Sequence, residues 1–254
     1  MALVTGAARG IGAATVRALA ADGWSVVALD RAADDPRLPY GLGTRAELDA
    51  LASDRVRTVV ADAADEAALA GAVALAETEF GGLDAALAVA GVIAGGTPLW
   101  EMPAAELDAV LDVDLRAVIA LARVAVPALL RRPEPRSGRF VAVASAAATR
   151  GLPMLAAYCA AKAGVAGLVR ALAVELGPTG VTANAVSPGS TDTPILAQSA
   201  RLYGLPAAAD FARQQPAGRL LDPAEVAAAL VWLAGPGSSG VTGAVLPVDG
   251  GLAL

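Results

Sequence analysis

Thr5-Gly6-Ala7-Ala8-Arg9-Gly10-Ile11-Gly12 follows a short apolar run, Ala2–Thr5, and leads into an amphipathic stretch near residues 11–22. Glycines at 6, 10 and 12 allow a tight turn, a close approach of backbone to a ligand, and close packing of helix on strand. N–H groups freed at the start of a helix carry partial positive charge, so such a turn favours a pyrophosphate. A glycine triplet alone is weak evidence. Placed between a leading strand and a helix, it predicts a dinucleotide site touched by Gly6, Arg9, Gly10, Ile11 and Gly12.

Outward from that turn, short apolar runs alternate with longer amphipathic ones. Strands are expected at Ala2–Thr5, Ser25–Leu29, Val56–Val60, Ala85–Val89, Phe140–Ala144, Thr182–Val186 and Ala244–Val248. Several are apolar almost throughout, as parallel strands buried on both faces require. Helices are expected near 11–22, 44–53, 65–80, 103–131, 154–177 and 222–234. Asp222-Pro223 supplies a cap and a first-turn proline, and Gly177-Pro178 ends the preceding long helix. This alternation predicts an α/β fold, a Rossmann doubly wound parallel sheet of about seven strands with helices on both faces. No repeat, charge block or linker divides the chain, so residues 1–254 are expected to form a single domain. The stretch Asp34–Gly43 reads either as a surface excursion or as a loop over the adenine end of a cofactor.

Composition narrows the function. Lys and Arg total 19 against 25 Asp and Glu, a net charge of −6 that argues against nucleic acid. The longest uncharged stretch, Val226–Val248, is interrupted by Gly235-Pro236-Gly237-Ser238-Ser239-Gly240, so it reads as helix, loop and strand and not as a membrane span. A strand starting at residue 2 leaves no room for a signal peptide, and a cytoplasmic protein is expected. A lone cysteine, Cys159, allows no internal disulfide. The absence of histidine removes Ser-His-Asp and Cys-His catalysis and argues against a zinc site. Proton transfer must then fall to Tyr, Lys, Asp or Glu.

Asp30 closes the second strand about 20 residues beyond the glycine turn, where a carboxylate accepts from adenosine ribose hydroxyls. It would repel a 2′-phosphate, which favours NAD over NADP. Arg9 and Arg31 are the contrary signal, since either could grip that phosphate. Tyr158 and Lys162 sit four apart in an expected helix and so share a face. An ammonium beside a phenol lowers its pKa from about 10 and makes it usable as acid or base. The surrounding segment is nearly chargeless, and Ser145 stands at the C-terminal end of the fifth strand, where active sites of open α/β sheets form.

Together the glycine turn, Ser145, Tyr158 and Lys162 resemble the short-chain dehydrogenase/reductase family. The likeness continues through Asn184-Ala185-Val186-Ser187-Pro188-Gly189, Thr193 and Val248-Asp249-Gly250-Gly251. The resemblance implies an enzyme that interconverts an alcohol and a carbonyl by hydride transfer with NAD. It implies Tyr158 as acid/base, Ser145 as partner of the substrate oxygen, and Lys162 as the cation that lowers the Tyr158 pKa and contacts the nicotinamide ribose. It assigns Asp62 and Ala63 to the adenine, Ala90 and Gly91 to the cofactor's flank, and Pro188, Gly189, Thr191 and Thr193 to the nicotinamide end. A homotetramer packed through the helices near 103–131 and 154–177 is implied as well.

The chain departs from the family twice. Asn-Asn-Ala-Gly after the fourth strand is here Ala88-Val89-Ala90-Gly91, which keeps only the backbone role. The Asn that completes a catalytic tetrad in the long helix is here Asp114. An ionised carboxylate accepts but does not donate, so Asp114 could pair with Lys162, hold a relay water another way, or face solvent.

A finer likeness, to mycofactocin-coupled members, rests on Asp34-Asp35-Pro36-Arg37-Leu38-Pro39-Tyr40, Gly91-Val92-Ile93-Ala94-Gly95-Gly96, Pro98-Leu99-Trp100-Glu101 and the run from Ala144 to Gly151. It implies NAD held tightly and recycled by mycofactocin as electron carrier, with the loop near Tyr40 as a lid. Two other readings stay open: a freely exchanging NAD(P)-dependent ketone reductase, and a non-catalytic nucleotide-binding or scaffolding protein. The segment Ser190–Gln215, with Leu196, Leu202, Tyr203 and Phe211, is expected to close a cleft for an apolar or mixed alcohol. Trp100 and Met154 read either as cleft wall or as ordinary packing.

Overall fold

Alternation along each strand sorts the core into two layers, one on each face of a single sheet. The computed structural model describes residues 1–254. Its strands are β1 (Ala2–Thr5), β2 (Val26–Asp30), β3 (Val56–Val60), β4 (Ala85–Ala88), β5 (Arg139–Val143), β6 (Thr182–Pro188) and β7 (Val245–Val248). All pair in parallel, in the order β3-β2-β1-β4-β5-β6-β7. The order reverses at β1, where Val4 lies between Ala28 of β2 and Leu87 of β4. A reversal of this kind opens a crevice at the carboxyl ends of the strands.

The helices are α1 (Gly10–Ala21), α2 (Arg45–Asp49), α3 (Glu66–Phe80), α4 (Ala104–Leu111), α5 (Ala117–Leu130), α6 (Ala156–Leu176), α7 (Pro194–Leu202) and α8 (Pro223–Ala234). Leu3, Val27, Phe140 and Ala183 share one core with Leu69 of α3, Leu121 of α5 and Val165 of α6. Their strand neighbours Val4, Val26, Leu87 and Val141 point the other way and pack with Leu19 of α1 and Leu230 of α8. This is the period-two reading of a strand buried on both sides. Truncating such a leucine to alanine costs about 2–5 kcal/mol, because the site cannot fully collapse around the lost atoms.

Several expected boundaries shift. The helix expected over 103–131 is α4 and α5 joined by a π turn at Asp112–Arg116. A π turn adds a residue to the helical repeat and re-aims the side chains around it. Here it carries Asp114, which is completely buried and does not face solvent. The backbone on either side stays helical, so hydrophobic periodicity does not reveal the break. The helix expected over 44–53 contracts to α2, started by Thr44 and Glu47, whose side chains each accept from the other's backbone N–H. Thr193-Pro194 starts α7 within the segment expected to close the cleft; the Thr193 hydroxyl accepts from the Leu196 N–H at 3.3 Å. The stretch Val226–Val248 folds as the expected helix, turn and strand.

Candidate active site

A cavity of about 670 Å³ opens over the carboxyl ends of the strands, and every residue assigned above to catalysis or to the cofactor lines it. At one end lies the glycine turn. Gly6 (φ +68°) and Gly10 (φ +56°) sit in the left-handed region, where a Cβ is strained. A Cβ on Gly12 would run into the carbonyl oxygen of Gly6. The turn therefore keeps its helix start bare, as a pyrophosphate requires.

Asp30 both faces this space and braces it. Its Oδ2 accepts from the Ala8 N–H at 3.0 Å and its Oδ1 from the Ala32 N–H at 2.8 Å. The two arginines that stood against NAD are already engaged. Arg9 donates to the Gly41 carbonyl at 2.9 Å, and Arg31 pairs with Asp35 at 2.8 Å. With a carboxylate at the ribose position and the charge of Arg31 already paired, the site fits NAD better than a 2′-phosphorylated cofactor. Asp62 lines the cavity two residues past β3, its Oδ1 accepting from the Ala64 N–H. Thr191 and Thr193 line it beyond β6, their hydroxyls donating to the Gly189 and Thr191 carbonyls.

At the other end the chemistry gathers. Ser145 follows β5 and its Oγ accepts from the Ala147 N–H at 3.1 Å, which starts a 3₁₀ turn and aims the side chain. Lys162 lies one turn along α6 from Tyr158, its Nζ 5.6 Å from the phenol ring centre. Nζ sits 3.0 Å from Asp114 Oδ1 and donates to the Val143 carbonyl at 3.1 Å. Asp114 also accepts from the Val92 N–H at 3.3 Å. Burial pushes the Asp114 carboxyl up, while Lys162 and the Val92 N–H pull it down. Burial opposes the charge on Lys162 too, but Asp114 and Tyr158 outweigh it and raise the lysine.

One expectation is corrected here. Lys162 was expected to bring the Tyr158 phenol below its ordinary range, an effect that Asp114 would weaken by pairing with it. In the folded protein the phenol is pushed up, because burial is the largest influence and the Asp114 charge adds to it. Lys162 and the Ser145 hydroxyl act in the opposite direction. The family's neutral amide would not share the lysine's charge; a carboxylate does.

The Asp34–Gly43 segment is a strap, not a surface excursion. Asp35 is buried and accepts from both Arg31 and Arg37, each at 2.8 Å, and Arg37 reaches on to Asp112 at 2.7 Å. The Tyr40 hydroxyl accepts from the Ile93 N–H at 2.8 Å, and Leu38 packs with Val92, Val110 and Ala161. The strap thus leaves the adenine side and is tied down beside the catalytic end. Its charges were visible in the sequence, but their partner on the π turn was not.

The cleft wall is formed in part as expected: Leu196, Tyr203 and Phe211 line the cavity. Tyr203 donates to the Pro153 carbonyl at 2.7 Å and packs edge-on against Phe211. Leu202, Trp100 and Met154 do not line it, and Trp100 is 84% exposed. Sequence reasoning passed over Arg150, Leu152 and Leu155 as cleft wall, and they line it, as does Ser199 of the segment expected to close the cleft. For Arg150 there was a signal, since it is the only charged residue between Arg139 and Lys162.

Comparison with known proteins agrees with this geometry. A family model described as enoyl-(acyl carrier protein) reductase matches residues 6–253. The cis-4-hydroxycyclohexanecarboxylate dehydrogenase of Sinomonas cyclohexanicum is 42% identical, over 99% of this chain and 95% of that protein. The (−)-trans-carveol dehydrogenase of Rhodococcus erythropolis is 33% identical, over 100% of this chain and 97% of that one. The crystal structure of carveol dehydrogenase from Mycobacterium avium in complex with NAD matches with a TM-score of 0.92 at 31% identity, covering 99% and 96% of the two chains. A fold, a site and relatives that agree over almost the whole length leave one assignment: this chain is an oxidoreductase belonging to the short-chain dehydrogenase/reductase family.

Proposed function

We propose that this enzyme interconverts a secondary alcohol and a carbonyl compound with NAD as its cofactor, Tyr158 acting as acid and base. The observation that carries this reading is the meeting of Ser145, Tyr158 and Lys162 in the same cavity as the glycine turn and Asp30. NAD, when bound, supplies or accepts the hydride. The chain's own residues move the proton and hold the charge. Ser145 offers its hydroxyl to the substrate oxygen. Tyr158 takes the alcohol proton on its phenolate oxygen, or returns it in the reverse direction. Lys162 has three donors; Asp114 and Val143 occupy two, which leaves one for the cofactor's ribose. The test is turnover of a panel of secondary alcohols with NAD or an artificial electron acceptor, beside a Tyr158→Phe control. A wild-type protein that oxidises none, or a variant as active as wild type, sinks the reading.

A second observation supports the finer reading, in which NAD stays bound and mycofactocin recycles it. The strap ties Arg9 of the phosphate turn, through Gly41, to Asp112 and Ile93 beside the catalytic end. The end of the strap, Leu42 and Gly43, lines the cavity, so anchoring it restrains that part of the wall against cofactor release. Bound NAD that survives prolonged dialysis is the expected result; an empty site that refills freely returns the enzyme to the class of exchanging ketone reductases. A homotetramer belongs to the same proposal. It is supported by apolar side chains left exposed on the long helices, Val174 on α6 and Ile119 on α5, and sedimentation measures it directly.

A further inference from the structure

Four cations line the cavity, and two of them, Arg31 and Lys162, are held in ion pairs. Arg9 and Arg31 are bound to Gly41 and Asp35 at the adenosine end. Lys162 is held by Asp114. The fourth, Arg150, lies in the loop that follows Ser145, on the substrate side. Like Arg9 it forms no ion pair and makes one hydrogen bond to a backbone carbonyl, from Nη1 to Leu252 at 2.7 Å, but it stands away from the adenosine end. A guanidinium has five donors, so most of this one's are unspent.

The substrate end of the cavity is otherwise poor in charge. Leu152, Leu155, Leu196, Leu205 and Phe211 form an apolar wall. The polar groups among them are engaged, Ser199 donating to the Ile195 carbonyl and Tyr203 to the Pro153 carbonyl. Gln214 is the one other polar side chain there, and it is neutral. The carboxylates that line the cavity are Asp30, Asp62 and Asp114, none of them on this wall. The arginine is also positioned in advance. Leu252 belongs to a C-terminal turn that Asp249 holds by accepting from the Gly251 and Ala253 N–H groups at 2.9 and 3.0 Å. Arg150 is solvent-exposed where it lines the cavity, and a guanidinium anchored there beside apolar side chains matches a carboxylate, which it can grip with two parallel hydrogen bonds.

We propose that Arg150 receives a carboxylate of the substrate, so that the enzyme acts on a hydroxy acid and forms the corresponding oxo acid. The alcohol carbon lies at Ser145 and Tyr158, and a compact apolar body separates it from the acid group. This inference rests on the dehydrogenase reading above and adds the substrate class and the residue that selects it.

The test uses NAD-loaded wild-type enzyme and Arg150→Gln, which keeps a donor for Leu252 and loses the charge. Calorimetry compares cyclohexanecarboxylate with its methyl ester, and kinetics compare a cyclic hydroxy acid with its methyl ester. Arg150→Gln is expected to weaken binding of the acid, and raise its KM, by about 10- to 100-fold, with kcat little changed. The ester is expected to bind both proteins alike. Equal affinity of wild type for acid and ester, or equal weakening of both by the substitution, overturns the inference and leaves Arg150 as a clamp on the C-terminal turn. Turnover of the ester without preference for the acid refutes Arg150 and spares the dehydrogenase. Selective acid binding through Arg150 without oxidation of either compound does the reverse.

Discussion

The Nζ of Lys162 lies 3.0 Å from Oδ1 of Asp114, and both side chains are buried. Lys162 is the only lysine in the chain. The cation beside Tyr158 is therefore part of a neutral pair, and the phenol feels the pair rather than a free ammonium. Asp114 raises the Tyr158 pKa while Lys162 lowers it.

Asp114→Asn tests the pair. Alcohol oxidation needs Tyr158 deprotonated, so its rate rises as pH passes the phenol pKa. Removing the carboxylate removes an influence that holds this pKa up, and the rising limb of kcat should move to lower pH. A limb that moves upward means that Lys162, deprived of its partner, has lost its own proton. Selective ¹⁵N-lysine labelling gives a single side-chain signal, which reports that proton separately.

Gly12→Ala should abolish NAD binding, since the added methyl meets the Gly6 carbonyl and only a backbone shift can relieve the contact. The phosphate turn would open while the sheet cores stay filled. Near-wild-type NAD affinity by calorimetry would show that the turn yields more easily than its packing indicates.

Asp30→Asn should relax cofactor choice. Loss of the charge removes repulsion of a 2′-phosphate, and kcat/KM for NADP relative to NAD should rise by about tenfold or more. The gain is limited because Arg9 and Arg31 are already bonded to Gly41 and Asp35. A larger switch would mean that one of them swings to the phosphate.

Arg37→Ala cuts the strap from the π turn at Asp112 and from Asp35. NAD release, followed by fluorescence after mixing with excess unlabelled cofactor, should speed by about tenfold. Hydrogen bonding to Arg37, ahead of the opposing effect of burial, holds the Asp35 carboxyl well below the usual carboxylate range. A depressed carboxylate stabilises the fold above its ordinary pKa and loses that effect as pH falls through the depressed value. Release should thus stay flat between about pH 6 and about pH 8 and quicken only in strong acid. A steep change near neutrality would point to another group.

Local rules were enough for much of this protein. Unbroken apolar runs such as Val26–Leu29 can be buried on both faces only in a covered parallel sheet, and glycines at 6, 10 and 12 at a helix start have few uses besides an anion. Tyr158 and Lys162 share a helix, so their common face follows from spacing alone. What escaped the sequence depends on contacts between distant segments. The sequence left open whether Asp114 pairs with Lys162; periodicity cannot show the π turn that decides it, because both flanks remain helical, yet that turn brings the two together across a gap of 48 residues in the chain. The bond from the Tyr40 hydroxyl to Ile93 and the unpaired state of Arg150 have the same origin. A side chain's charge is written in the sequence; whether another charge meets it is decided only when the chain closes on itself.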